Sequence, residues 1–284
     1  MSMHMEIRAQ GAEALSEDQL RKHVPALFAQ GAHASRTSRY AHIPSIEVMR
    51  GLAAEGFKPV AVRQSRTRDE SRRGFTKHMV RLRHAGALAR AVGDTLPEIV
   101  LLNSHDGTSS YQLMAGLFRL LCLNGMVVAA GNVASVRVSH MGSIERVMPQ
   151  VIEGAYTVLS ESIKALDAPK QWSQLNLSRR DRHVFAEQAH ALRFADAAGD
   201  IATLITPDQL LSPRRPGDAG HDLWRTFNVV QENVMRGGLT PVGRAARQQT
   251  RRTSTRPING IDQDVRLNKA LWSLAENVAE RKAA

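Results

Sequence analysis

The hydrophobic positions between residues 57 and 139 follow the two-residue period of β strands. Alternating apolar and polar residues predict strands at 57–63, 75–84 and 133–138, and a fully apolar run predicts another at 99–102. A run that is apolar throughout is typical of a central strand that is buried on both faces. Clusters of Asn, Asp, Gly and Ser separate these segments, as expected of turns.

Residues 111–123 fit two patterns. Met114, Leu117 and Phe118 lie at helical spacing, whereas Leu113, Ala115 and Leu117 alternate as in a strand. A turn dipeptide and another strand-like run follow at once, and they favour the strand. The sheet is then expected to have about five strands.

Beyond residue 142 the apolar residues recur at helical spacing. Ser143 begins a long helix, in which Pro149 predicts a kink or break near Val147. Further helices are predicted at 179–194, from Pro207, at 222–235 and at 262–280. Strands followed by helices predict an α+β fold, with a small, twisted, mostly antiparallel sheet at about residues 57–139 covered by C-terminal helices.

This pattern also predicts the domain organisation. We expect residues 1–40 to be weakly structured, apart from a short helix that Ser16 and Gln19 cap and that ends at Pro25. We expect one α+β domain at 41–284, with its sheet part at 41–142 and its helical part at 143–284, which includes a basic linker at 238–260. In helix 222–235 we expect a solvated polar face, made of Arg225, Asn228, Gln231, Glu232 and Asn233.

The composition indicates a partner. The 284 residues include 38 Lys and Arg against 27 Asp and Glu, a net charge of +11, and arginine outnumbers lysine. Because guanidinium groups pair well with phosphate oxygens, this surface predicts DNA or RNA as the partner. The single cysteine, Cys122, excludes a disulfide framework. Without an apolar stretch of about 20 residues or a secretory leader, we expect a cytoplasmic protein with no membrane association.

The basic residues concentrate in two segments. Between residues 58 and 90 there are ten, opposed only by Asp69 and Glu70, and the second segment is the linker at 238–260. Strand 75–84 places Val80 on one face and Arg81 and Arg83 on the other, so it predicts a hairpin with one apolar and one basic face. The predicted nucleic-acid-binding residues are Arg63, Arg66, Arg68, Arg72, Arg73, Lys77, Arg81, Arg83, Arg244, Arg247, Arg251 and Arg252.

His105 and Asp106 are the candidate catalytic residues. They lie in a polar island, residues 103–107, that follows the apolar strand, and adjacent His and Asp residues can serve as metal ligands. A metal site needs further ligands, however, and the other histidines are scattered without ligand spacing. The favoured interpretation is a turn in which Asp106 or Asn103 caps the backbone and Gly107 adopts a positive φ. We therefore predict no metal and no cofactor.

Several segments together resemble a known family. They are SRYAHIPSIEVMRGLAAEGFKPV, FTKHMVRLRHAG, LPEIVLLNSHDGTSSYQLMAGLFRLLCLNG, VIEGAY, LLSPRRP, QENVMRGGL and INGIDQDVRLNKALW. Over residues 36–280 the chain is similar to domain of unknown function 932 and, within it, to the uncharacterised protein family 0380 of plasmids and cryptic prophages. The resemblance implies a mobile-element setting, and it implies no activity or catalytic residues.

The sequence thus favours a plasmid or prophage accessory protein that binds nucleic acid through the basic hairpin, and it does not favour an enzyme. Two alternatives remain. One is a metal-assisted nucleic-acid hydrolase at His105 and Asp106. The other is a protein-interaction factor that acts on a host or plasmid protein.

Overall fold

A computed structural model describes residues 7–9, 13–37, 40–119, 125–127, 135–138, 143–241 and 254–283. The chain divides into two compact units, unit 1 at Met1–Leu166 and unit 2 at Asp167–Ala284. The sheet and the first long C-terminal helix belong to unit 1, and the later helices belong to unit 2.

Unit 1 is built on an antiparallel sheet. Its strands are β1 Ile7–Arg8, β2 Phe57–Gln64, β3 His78–His84, β4 Thr95–Asn103, β5 Tyr111–Arg119, β6 Gly125–Val127 and β7 Ser135–Val138. They lie in the order β1-β2-β3-β4-β5-β6, with β7 also paired to β5, and every pairing is antiparallel. All nine residues of β4 are buried, as expected of a central strand. The predicted α+β class and antiparallel sheet are confirmed.

Two strand predictions differ in detail from the structure. The strand interpretation of residues 111–123 is confirmed for 111–119, while residues 120–124, including Cys122, lie outside the described part of the chain. The described residues form seven strands instead of about five. The additional β1 and β6 have two and three residues, which is too short for a period to be visible in the sequence.

The helices of unit 1 begin near the N-terminus. They are α1 Glu17–His23, α2 Ser45–Ala54 and α3 Ile144–Lys164, with 3₁₀ helices at Pro25–Phe28, Glu70–Arg72 and Ala85–Arg90. Ser16 and Gln19 form the predicted capping box of α1. Leu20, Val24 and Leu27 are buried, so the described part of residues 1–40 holds more packed structure than the sequence pattern indicates.

Helix α3 lies against the sheet. A methyl group added at Gly154 would be 2.9 Å from Val136 and 3.1 Å from Leu113, so the helix backbone approaches the strands closely there. The helix continues through Pro149 without the predicted break. Val151 and Ala155 are fully buried on its packed side, and this burial offsets the backbone hydrogen bond that proline cannot make.

Unit 2 is helical in its described residues. Its elements are α4 Asp167–Trp172, α5 Arg179–Phe194, α6 Pro207–Leu210, a 3₁₀ turn at Pro216–Asp218, α7 Leu223–Arg236 and α8 Ile261–Ala283. Trp172, Phe227 and Trp272 form an aromatic core in which the two indole rings lie 4.6 Å apart. Among the helices of the described residues, none is both long and apolar enough to cross a membrane.

The predicted solvated face of α7 is wrong for four of its five residues, while Arg225 is exposed. Asn228, Gln231, Glu232 and Asn233 are each at most 4% exposed. The Gln231 side chain donates to Asn268 of α8 at 2.8 Å, and Asn233 donates to the Leu210 carbonyl at 2.9 Å. Polar residues at this density are therefore the internal contacts of a buried helix, whose partners lie too far along the chain for a periodicity argument to find.

Candidate functional site

The polar island at 103–107 forms a closed turn between β4 and β5. The Asp106 carboxylate accepts hydrogen bonds from the Thr108 backbone at 3.0 Å and the Thr108 hydroxyl at 2.6 Å, and Gly107 has φ +79°. The predicted turn chemistry is confirmed. Burial alone would raise the pKa of Asp106, but the hydrogen bonds from Thr108 outweigh it and hold that pKa below its ordinary value.

Beside the turn, the Ser45 hydroxyl joins five segments of unit 1. Ser45 is the first residue of α2, and its Oγ lies within 3.1 Å of Nε2 of His78, Nδ2 of Asn103, Nε2 of His105 and the Tyr111 hydroxyl. All five side chains are fully buried. The cluster therefore fixes the start of α2 to the adjoining ends of β3, β4 and β5 and to the turn.

The Ser45 hydroxyl has one neighbour too many for simultaneous hydrogen bonding. A hydroxyl donates one hydrogen bond and accepts two, so at most three of its four neighbours are bonded to it at once. Asn103 donates to Ser45 through its amide nitrogen. Nδ1 of His78 lies 3.1 Å from the Thr76 carbonyl, which only accepts, so in the neutral ring Nδ1 carries the proton and Nε2 accepts from the Ser45 hydroxyl. The Ser45 oxygen is then left to accept from Asn103 and from Nε2 of His105, while the Tyr111 hydroxyl donates to the Ile43 carbonyl at 2.9 Å.

Two further side chains close the cluster. The Tyr40 hydroxyl donates to the Ser104 carbonyl at 3.1 Å, and burial, together with the nearby charge of Asp106, raises the pKa of Tyr40 to about 12. The His42 ring packs against the His105 ring with centroids 4.7 Å apart, and burial lowers the pKa of His42. His105 is thus enclosed by side chains.

This arrangement bears on the hypothesis of catalysis at His105 and Asp106. His105 is fully buried and Asp106 is 5% exposed. Within the described ranges, no group of three His, Cys, Asp or Glu residues is placed to hold a metal ion. The geometry fits a structural turn better than a site that a substrate enters. Sequence reasoning missed the pairing of Ser45 with the turn and with Tyr111, because Ser45 lies 60 residues before His105 and 66 residues before Tyr111.

The predicted basic face of β3 is not an open surface. Arg81 and Arg83 are each 8% exposed, and both bind the fully buried Glu98 of β4, at 2.9 and 2.6 Å. The register that pairs Leu82 with Ile99 brings Arg83 level with Glu98. The Arg81 guanidinium also lies 3.4 Å from the centre of the Phe118 ring. Since the charges of Arg81 and Arg83 are used inside the sheet, these residues do not line a groove.

The remaining predicted residues of the hairpin have different exposures. Arg63 is 6% exposed, and Lys77 is half-buried. Arg72 is half-buried and forms an ion pair with Asp69 at 3.3 Å. The side chains of Arg66, Arg68 and Arg73 are exposed. Arg244, Arg247, Arg251 and Arg252 lie outside the described residues.

The exposed arginines of the hairpin line a cleft of about 450 Å³, which we call the basic cleft. It lies between the end of α1 and the β2–β3 connection. Its ionisable lining residues are Lys22, His23, Arg66, Arg68, Glu70 and Arg73. Four permanent cations thus line the cleft with one carboxylate. One of the cations, Lys22, comes from α1 and was not among the predicted nucleic-acid-binding residues.

Gln64 holds the two walls of the basic cleft together. Its side-chain oxygen accepts from the Ala26 backbone at 3.1 Å, and its amide nitrogen donates to the Arg73 carbonyl at 2.7 Å and to Thr76 at 2.9 Å. The Asp69 carboxylate accepts from the Ser71 backbone at 3.0 Å. The connection is therefore tied to the strand end, which lowers the entropy cost of placing its arginines around an anion.

Comparison with known proteins agrees with the family resemblance. The family model "Domain of unknown function (DUF932)" matches residues 32–272. The chain is 43% identical over 264 residues to the UPF0380 protein YfjQ of Escherichia coli strain K12, which covers 93% of this chain and 91% of YfjQ. It is 44% identical over 262 residues to the UPF0380 protein YafZ of the same strain, covering 92% and 90% of the two chains. No solved structure matches the chain.

Proposed function

The chain belongs to the DUF932 family, and we propose that it binds the phosphate backbone of DNA or RNA through the basic cleft of unit 1. The observation that carries this proposal is the placement of Lys22, Arg66, Arg68 and Arg73 around one cleft with a single carboxylate. A polyanion that enters such a cleft releases counterions, which favours binding at low salt.

The residues that line the basic cleft also indicate which part of a nucleic acid it would bind. Its cations suit phosphate oxygens, which carry no sequence information. No Phe, Tyr or Trp is among the residues that line it, so base stacking of the kind used by single-strand binders is not part of the proposal. We therefore expect binding with weak sequence preference and steep salt dependence.

The resemblance to plasmid and prophage proteins supports the same function. A protein of a mobile element works near replicating or invading nucleic acid, and we extend the proposal to that setting and to the cytoplasm. The net charge of +11 supports association with a polyanion in general.

Two charge-matched double variants test the proposal. Arg68→Gln with Arg73→Gln removes two cations from the basic cleft. Lys58→Gln with Arg90→Gln removes two exposed cations that do not line the basic cleft. Lys58 lies at the opposite end of β2 from Gln64, about 20 Å away for six residues of strand. Fluorescence anisotropy with a labelled DNA duplex gives the dependence of log Kobs on log salt concentration.

The cleft variant should bind more weakly and lose about 2 from the magnitude of the salt slope, because each phosphate contact contributes about 0.9. The distal variant should keep most of the wild-type slope. Equal losses in the two variants would show that net charge alone, and not the basic cleft, determines binding.

A further inference from the structure

A second group of arginines lies in unit 2, where residues 212–216, SPRRP, pack against the end of α7. Asn233 holds this segment, because its amide nitrogen donates to the carbonyls of Leu210 and Ser212, each at 2.9 Å. The Asn233 side-chain oxygen in turn accepts from Nε of Arg214 at 2.7 Å. A second guanidinium nitrogen of Arg214 donates to the Gly237 carbonyl. The buried face of α7 therefore positions Arg214 directly.

Arg215 and Arg236 share one carboxylate beside Arg214. Arg215 binds Glu232 through two parallel hydrogen bonds of 2.8 and 2.6 Å, and Arg236 binds the same carboxylate at 2.6 Å. Asp218 lies 3.5 Å from Arg215. Within the described part of unit 2, no carboxylate lies within ion-pair distance of Arg214. We call Arg214, Arg215 and Arg236 the α7 arginine cluster.

The three guanidinium groups of the α7 arginine cluster outnumber the two carboxylates, Glu232 and Asp218, that pair with them. Burial lowers the pKa of Arg214, and the charges of Arg236 and Arg215 lower it further, although Glu232 opposes them. Arg236 keeps half of its side chain exposed, and Arg214 is also exposed. Two guanidinium groups at the surface, one of them without a carboxylate partner among the described residues, are an arrangement that an anion would stabilise.

Two stretches of the basic linker, residues 238–239 and 255–256, meet beside this cluster. The Gly238 amide donates to the Thr255 carbonyl at 2.7 Å, and the Thr255 amide donates to the Leu239 carbonyl at 2.8 Å. Gly237 is held so close to this strand-like pair that a methyl group on it would lie 2.6 Å from the Thr255 oxygen. Arg193 of α5 donates to the Arg256 carbonyl at 2.8 Å, which adds another cation next to this junction.

We propose that Arg214 and Arg236 bind a phosphate group, and that this site gives unit 2 its own contact with a nucleic-acid backbone. The phosphate chemistry follows from the α7 arginine cluster itself, whereas the choice of nucleic acid as its source rests on the function proposed for unit 1. A free phosphate ion is the other source of the same chemistry.

Helix α7 supplies a matched control for the test. Arg236 and Arg225 lie on the same helix, their side chains are 50% and 48% exposed, and each pairs with a buried carboxylate, Glu232 or Asp222. They are 11 residues apart, which is about 16 Å along a helix. Arg236→Gln and Arg225→Gln therefore remove the same charge from similar surroundings, but only Arg236 belongs to the cluster.

The first arm measures the salt dependence of binding to the labelled DNA duplex with the full chain. Arg236→Gln should reduce the magnitude of the slope by about 1, whereas Arg225→Gln and the charge-conserving Arg236→Lys should leave it unchanged. The second arm measures heat denaturation by tryptophan fluorescence with and without inorganic phosphate. Phosphate should raise the Tm of the wild type and of Arg225→Gln more than that of Arg236→Gln.

The two arms separate this inference from the function proposed for unit 1. If the chain does not bind DNA but phosphate raises the Tm in an Arg236-dependent way, the site stands and the proposed function fails. If Arg236→Gln and Arg225→Gln behave alike in both arms, the α7 arginine cluster is not a phosphate site, whatever the basic cleft does.

Discussion

At the scale of single residues, Glu98 determines whether two buried guanidinium groups are tolerated inside the sheet. It is fully buried, and it receives hydrogen bonds from both Arg81 and Arg83. Removing one member of a buried ion pair leaves uncompensated charge in a medium that solvates it poorly, which costs far more than losing a pair at the surface. The stability of unit 1 should therefore depend strongly on this one carboxylate.

We predict that Glu98→Gln destabilises unit 1 by about 3–5 kcal/mol, the range found when a buried ion pair loses one partner. Urea denaturation followed by far-UV circular dichroism measures the change. Glu47→Gln is the control, because Glu47 forms an ion pair with Arg50 in which both side chains are about half exposed, and it should change the midpoint little. A midpoint for Glu98→Gln close to that of Glu47→Gln would contradict this role.

Glu98 also shows that a buried ion pair between neighbouring strands could not be predicted from the sequence. Strand alternation correctly places Arg81 and Arg83 on one face of β3, but it does not tell whether that face is covered. Their acceptor lies 17 and 15 residues further on, in the neighbouring strand. Ser45 escaped notice for the same reason, since its partners come together only when α2, the sheet and the turn are assembled. The Asp106–Thr108 turn was predictable because its bonds join residues two positions apart.

At the scale of secondary-structure elements, local signals predicted the boundaries well. The capping box at Ser16 and the bounds of α5 both depend on residues within one helical turn. The burial of the polar face of α7 could not be predicted from local signals, because an Asn or Gln residue with an internal partner looks the same in the sequence as a solvated one. The basic cleft shows both cases, since its arginines were predicted and Lys22 was not.

His183 links two helices of unit 2 in a pH-dependent way. Its Nδ1 lies 2.9 Å from Asp208 of α6, its Nε2 lies 3.3 Å from Glu187 of α5, and the hydrogen bond to Asp208 raises the pKa of His183 above its ordinary value of 6.5. Because the folded-state pKa is the higher one, the contribution to stability is complete below the unfolded-state pKa. It is lost as the pH rises through the folded-state pKa.

We therefore predict that the Tm of unit 2 decreases from about pH 5.5 to about pH 8.5, and that His183→Gln reduces this decrease. Tryptophan fluorescence is a suitable signal, because Trp172, Trp224 and Trp272 all belong to unit 2. A variant with the same pH profile as the wild type would show that His183 contributes nothing measurable to the link between α5 and α6.

At the scale of the whole molecule, the chain consists of a sheet unit and a helical unit. The boundary at Leu166 and Asp167 follows α3, which the sequence grouped with the later helices. Helical periodicity identifies α3 without indicating what it packs on, and Gly154 is the residue that admits its close contact with the sheet. The sequence-based prediction was one domain at 41–284, whereas the structure divides into two compact units. One domain would unfold in a single transition, and two units would unfold in two.

Two units predict two unfolding transitions. Glu98→Gln should lower the midpoint detected by circular dichroism, which includes the sheet unit, and leave the midpoint of tryptophan fluorescence in place. If both midpoints shift together by the same amount, the chain unfolds as one cooperative domain, as the sequence alone suggested.

The central claim is that this chain binds a nucleic-acid backbone through clustered cations. The most direct test is the affinity of the wild-type chain for a labelled DNA duplex across a salt series from about 50 to about 200 mM. The four cations of the basic cleft predict a log–log slope at least as steep as about −3, since each neutralised phosphate contributes about −0.9. A slope near zero, or no measurable binding at the lowest salt concentration, would contradict the claim.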